Sequence, residues 1–207
     1  MSARRILTIS GVILLLAGTV WLLQIPYYFH RSDTVGGDLL HKAQAVASAE
    51  PKDLPQEPEP AQPAAQTPPT EKGTSAAPDP LGVLHIPALE LQAPIVEGTE
   101  ERQISVAVGR FTGSAKLGTS GTTLLAAHNA TWFRRLDQLQ RGDTVQVSTR
   151  EGTYSYAVTG ARIVHVDDGV AAMNGPGLVL ESCYPLDALR QTEYRYLVYA
   201  TAKKPGA

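Results

Sequence analysis

Between Glu50 and Pro80 the chain reads EPKDLPQEPEPAQPAAQTPPTEKGTSAAPDP, with nine prolines in 31 residues, no aromatic residue and one leucine. Proline lacks the backbone N–H that helix and sheet interiors need. So few apolar side chains cannot offset the entropy lost when such a segment is ordered, and its prolines favour extended polyproline II. The segment therefore divides the chain into an N-terminal part (1–30), a Pro/Ala-rich linker (31–80) and a folded part (81–207). A Pro-rich recognition ligand is the alternative use of the segment, but its acidic and alanine filler gives no sharp motif.

Ahead of the linker, Ile6 to Phe29 is a run of 24 uncharged residues rich in Leu, Ile and Val, preceded by Arg4 and Arg5. About 20 such residues cross a bilayer core as a helix. The small-residue pattern at Ala47 to Ala49 would suit a signal peptidase, but it lies well past the apolar run, unlike a cleavage site. A single-pass anchor is expected, with the arginines cytoplasmic, Trp21, Tyr27 and Tyr28 at the outer interface, and everything beyond about residue 30 outside the cell.

From Leu81 onward short apolar segments alternate with Gly, Pro and Asp. Eight of them, rich in Val, Tyr and Thr, read as strands: GVLHIP, APIVEG, SVAVGRF, TTLLAAH, TVQVST, YSYAVTGARIVHV, LVLESC and YRYLVYATA. Only WFRRLDQLQ, Trp132 to Gln140, has helical spacing, with Phe133, Leu136 and Leu139 on one side. An all-β fold follows, a closed barrel or sandwich with one or two short helices. Residues 81–207 carry 12 basic and 12 acidic side chains, which excludes a phosphate-tracking, nucleic-acid-binding surface. A single cysteine excludes an intrachain disulfide.

That cysteine, Cys183, ends the strand-like GLVLES. A thiol becomes a nucleophile when a cation or helix terminus favours the thiolate. Of five histidines, His30 and His41 lie near the membrane, and His85 and His165 sit inside strand-like segments. His128 closes the strand TTLLAA and opens the polar loop HNATWF, a position from which a side chain reaches a cleft while the scaffold holds it. Arg195 begins the strand YRYLVYATA. If that strand pairs antiparallel with the one ending in Cys183, cysteine and arginine face one cleft, where a guanidinium favours the thiolate and donates to an oxyanion. Arg190, in the intervening loop, is the alternative arginine.

These segments resemble the sortases, membrane-anchored cysteine transpeptidases, and the class D and E types most. The resemblance rests on LHIPALELQAPIVEGT, on GRFTGSAKLGTSGTTLLAAH ending in His128, on LVLESCYP containing Cys183 and on YRYLVYA containing Arg195. It implies a closed eight-stranded barrel behind the anchor and linker, on the bacterial cell membrane. It further implies a catalytic trio of Cys183, His128 and Arg195 that acts on a C-terminal sorting motif of secreted proteins. The new C-terminus is then joined to an amine of the cell envelope, a pilin or another protein. The chain departs from the family signature Thr-Leu-x-Thr-Cys, with Val179 and Ser182 at the threonines. Ala127 stands where glycine often precedes the histidine, and NAT replaces a common Arg-Asp pair. The variant pattern resembles sortases of Gram-negative bacteria.

Strand alternation adds that Val179, Glu181 and Cys183 share one face, with Leu180 and Ser182 on the other. Glu181 then lines the cleft floor and recognises a polar or basic group of the substrate or acceptor, unless a bulge turns it outward. Val179, Glu181, Ser182 and Ala127 are thus the candidate substrate-binding residues. No cofactor and no metal are expected, because Gly113 to Ala127 contains no Asp or Glu where some sortases bind calcium. Two other functions use the same segments: a thiol endopeptidase in which water resolves the acyl enzyme, and a non-catalytic barrel that binds envelope ligands.

Overall fold

The computed structural model describes residues 19, 35–48, 78–170, 173, 175–188 and 192–203. The apolar segment 6–29 apart from Thr19, most of the Pro-rich linker and Arg190 lie outside them. Among the described residues no helix is long and apolar enough to cross a membrane.

All eight strand-like segments become strands: β1 (Pro80–Ile86), β2 (Leu91–Glu97), β3 (Val108–Arg110), β4 (Thr122–Ala126), β5 (Thr144–Thr149), β6 (Gly152–His165), β7 (Gly177–Tyr184) and β8 (Tyr194–Ala202). They close into a barrel in the order β1-β2-β3-β4-β7-β8-β6-β5. The β2–β3 and β4–β7 pairs are parallel and the rest antiparallel. Period-two patterning drives this: in β5, Val145, Val147 and Thr149 are buried and their neighbours are only partly so. The first four residues of β7 are all buried, as expected of a strand with a parallel neighbour and both faces covered. Closure brings backbones into contact at Gly82, where a Cβ would lie 2.2 Å from the Ser148 carbonyl oxygen. Only glycine admits β5 that close to β1.

One core fills the barrel, built from alternate residues such as Leu84, Ile95, Leu125, Val147, Leu180 and Val198. Phe133, Leu136 and Leu139 share that core, and the helical spacing noted in WFRRLDQLQ takes the form of a single 3-10 turn at Leu136–Gln138. Side-chain bonds hold the rim. Arg110 donates to both oxygens of Glu97, to Oε1 at 2.5 Å and to Oε2 at 2.9 Å, and to the carbonyls of Ser114 and Ala115 at 2.9 and 3.1 Å.

Two expectations need correction. The segment SVAVGRF yields only three strand residues, because Glu101–Ile104 forms a short helix, α2, whose turn continues through hydrogen bonds from the N–H groups of Val106 and Ala107 to the Gln103 carbonyl. The apolar side chains of Val106 and Ala107 are spent elsewhere. Residues 35–48, placed in the linker, are helical (α1); Leu39 is buried in a satellite cluster with Val96, Val106 and Ala107, and Ala43, one turn on, is fully buried too. Val35 packs against the same cluster, and the repeat 35, 39, 43 is one stripe of a helix. A side chain at Gly36 would meet the Trp132 ring at 2.8 Å, and Gln44 donates to Gln92 of β2 at 3.2 Å. The helix lies on the barrel because its apolar stripe has a matching apolar patch there.

Candidate active site

The site is a matter of strand register. Across β7 and β8, Cys183 and Arg195 are direct partners. Across the parallel β4–β7 pair, Ala126 is the partner of Glu181, and the Ala127 N–H continues the ladder by donating to the Glu181 carbonyl at 3.1 Å. Two residues past Ala126 and Glu181 stand His128 and Cys183. Adjacent strands run about 4.8 Å apart, so three neighbouring strand ends bring histidine, cysteine and arginine abreast. All three line one cleft of about 580 Å³ on the outer face of the barrel. Cys183 is half-buried and free.

Each side chain is held locally. The His128 carbonyl accepts from the N–H groups of Thr131 and Phe133, at 3.3 and 3.2 Å, and the fully buried Phe133 anchors that tight turn in the core. Asn129 is 5% exposed, and its amide donates to the carbonyls of Pro185 at 3.1 Å and Ala188 at 2.7 Å. It ties the loop after His128 to the loop after Cys183. We expect Asn129→Ala to cost about 1–2 kcal/mol, because a buried amide and the two part-buried bonds it makes between the loops are lost. The measurement is the urea midpoint at unchanged slope, and a midpoint equal to that of the native chain would show that other contacts hold the two loops.

The Arg195 guanidinium donates from Nη1 to the backbone carbonyls of Thr192 and Tyr194, at 2.6 and 3.0 Å, and its Nε is 3.4 Å from Glu181 Oε1. Burial pushes the Glu181 carboxyl above the usual carboxylate range, against the opposing pull of the Arg195 charge. His128 meets a carboxylate that the sequence did not suggest: its Nε2 lies 3.2 and 3.3 Å from the two oxygens of Glu101 in α2.

Of the remaining candidates, Glu181 lines the cleft beside Cys183 and no bulge turns it away. Ser182 and Ala127, 2% and 4% exposed, also border the cleft, and the Ser182 hydroxyl is committed to the Ala127 carbonyl at 3.2 Å. Val179 shares the face of Glu181 but is fully buried and does not line the cleft, so it is corrected to a packing residue. Phe111, His165 and Val166 also line the cleft, and the sequence marked none of them as a cleft residue. His165 stacks edge-on against Tyr194 at 5.3 Å. His85 stands apart, on the β1–β5 side, 3.2 Å from Gln146. Among the described residues no group of three His, Cys, Asp or Glu side chains is arranged to hold a metal ion.

The arrangement suits attack by a sulfur nucleophile. A thiol, a histidine able to take and return its proton, and a fixed guanidinium surround one open space, which is what acyl transfer requires.

Comparison with known proteins agrees with this geometry. The family model described as the sortase domain matches residues 84–203, more than half of the chain. Sortase D of Bacillus subtilis is 31% identical over 121 residues, which span 57% of this chain and 61% of the relative. The matched part thus takes in less than two thirds of that protein. Among solved structures, sortase C1 of Streptococcus agalactiae superposes with a TM-score of 0.55 at 28% identity, covering 60% of this chain and 68% of the other. A sortase D5 transpeptidase of Clostridium perfringens has the same fold, with a TM-score of 0.55 at 21% identity over 61% of this chain and 80% of its own.

Proposed function

The chain belongs to the sortase family, and from that premise we propose that it is a cysteine transpeptidase whose catalytic groups are Cys183, His128 and Arg195. The observation that carries the reading is the register that puts Cys183 opposite Arg195, with His128 two residues beyond the partner of Glu181. Cys183 gives its proton to His128, and the thiolate attacks a backbone carbonyl carbon near the C-terminus of a secreted protein. Arg195 donates hydrogen bonds to the oxyanion or positions the peptide. The C–N bond breaks as His128 protonates the leaving amine, which leaves a thioacyl enzyme. An incoming amine, deprotonated by the same imidazole, attacks the thioester carbon, and sulfur departs as thiolate. The products are a new amide and the free enzyme.

In this proposal the substrate is a secreted protein with a C-terminal sorting motif, bound along the cleft with Glu181, Ser182 and Ala127 beneath it. The acceptor is an amine of the cell envelope, a pilin or another protein. Residues 6–29 anchor the chain in the bacterial cell membrane with the catalytic domain outside. The apolar run behind two arginines supports that placement.

The test is to incubate the full chain in detergent with a panel of Leu-Pro-x-Thr-Gly-type peptides varied at each position, with hydroxylamine and alkyl amines as acceptors. Products are followed by mass spectrometry. We expect amine-joined product and a transient acyl adduct on Cys183. Cleavage without joining would make the chain a hydrolytic thiol endopeptidase. The absence of any adduct would favour a barrel that binds envelope ligands without catalysis.

A further inference from the structure

His128 has a partner on an element that no local pattern connects to it. Its Nε2 faces both carboxylate oxygens of Glu101, at 3.2 and 3.3 Å, across 27 residues of sequence. An ionised carboxylate only accepts hydrogen bonds, so it selects the imidazole form with hydrogen on Nε2. Among the described residues Nδ1 has no hydrogen-bond partner.

We propose that Glu101 is a positioning residue for His128, fixing the Nε2–H tautomer and the ring plane so that Nδ1 exchanges the proton with Cys183 and the leaving amine. The proposal rests on the reading of His128 as acid and base. It adds the group that orients the base, a role that a base exchanging protons with a nucleophile generally requires.

The surroundings of Glu101 fit the role. Its neighbour Arg102 is already paired with Glu100 at 3.1 Å, so the nearest cation does not draw Glu101 away from the imidazole. The α2 backbone is held by the buried Gln103 and by Val106 and Ala107, which pack under Leu39 of α1. The Glu101 side chain itself is 69% exposed, and exposed ion pairs of this kind add little to stability. Its removal should therefore leave folding intact and change the histidine.

The decisive readout does not depend on turnover. In the full chain labelled with 15N-histidine, the His128 ring nitrogens are identified by their loss in His128→Ala, and their shifts report the tautomer of the neutral ring. We expect the Nε2–H form to dominate in the native chain and a mixture in Glu101→Ala. With the best-processed peptide of the panel and hydroxylamine, Glu101→Ala should lower kcat about 10- to 50-fold with KM within about twofold. Glu101→Gln, which keeps an acceptor oxygen, should recover most of the loss, and all variants should melt at the native temperature. A native tautomer ratio or a native kcat in Glu101→Ala would overturn the positioning role while His128→Ala stays inactive. Full activity in His128→Ala would instead remove the catalytic reading on which the role depends.

Discussion

Exchanging Cys183 for alanine should leave less than about 1 part in 10⁴ of the joining and cleavage rates, and no acyl adduct by intact mass. The chain holds one cysteine, so no second thiol can take over. The neighbouring serine, Ser182, is 2% exposed and donates to the Ala127 carbonyl on the other face of the strand. It cannot reach an acyl carbon in the cleft without breaking the β4–β7 tie. The same variant should melt within a degree or two of the native chain, because a half-buried thiol at a cleft edge carries little packing. Adduct formation by the alanine variant would assign the chemistry to another residue.

Replacing Arg195 by alanine should lower kcat/KM about 10²- to 10³-fold, the range found when one oxyanion donor is removed from a preorganised site. Lysine should not restore it. Two backbone carbonyls and the Glu181 carboxylate fix the guanidinium plane, and an ammonium cannot reproduce that geometry. The substitution also leaves Glu181 without its cation. Burial already raises that carboxyl, and the Arg195 charge opposes the rise, so its loss should push the value up further. A carboxyl raised in the fold contributes stability that is present below its unfolded value and is lost as pH rises through the folded one. The difference in melting temperature between native and Arg195→Ala chains should therefore be larger at pH 8 than at pH 4. In a Glu181→Gln background the difference made by Arg195→Ala should be the same at both pH values. Equal differences at both pH values would show that Glu181 is solvated in the variant.

Most of the barrel was readable because half-buried strands write their period into the sequence. In β5 the boundaries Thr144–Thr149 coincide with the segment TVQVST. The Cys183–Arg195 pairing was readable for a similar reason, since two strands joined by a loop of about ten residues pair antiparallel more often than not. Where the reading failed, apolar residues served a different surface. Val106 and Ala107 extended an apparent strand, yet they pack under α1 and β3 begins only at Val108. The α1 stripe of Val35, Leu39 and Ala43 was present at helical spacing, but it is short, follows an apolar run and contains two adjacent glycines. Glu101 gave no signal, because the register that brings α2 to His128 exists only once the barrel closes. Val179 misled because alternation predicts a face and not what covers it.

The docking of α1 bears on where the proposed anchor would hold the cleft. α1 ends at residue 48 packed on the barrel that β1 opens at Pro80, so both ends of the intervening sequence are fixed to one body. With the proposed anchor ending at Phe29, only residues 30–34 intervene before α1, and five extended residues span roughly 18 Å. In that proposal the covalent route from anchor to barrel runs through α1, and the Pro-rich segment adds nothing to its length. The proposed anchor would then favour substrates whose sorting motif lies near the lipid over those held far from it.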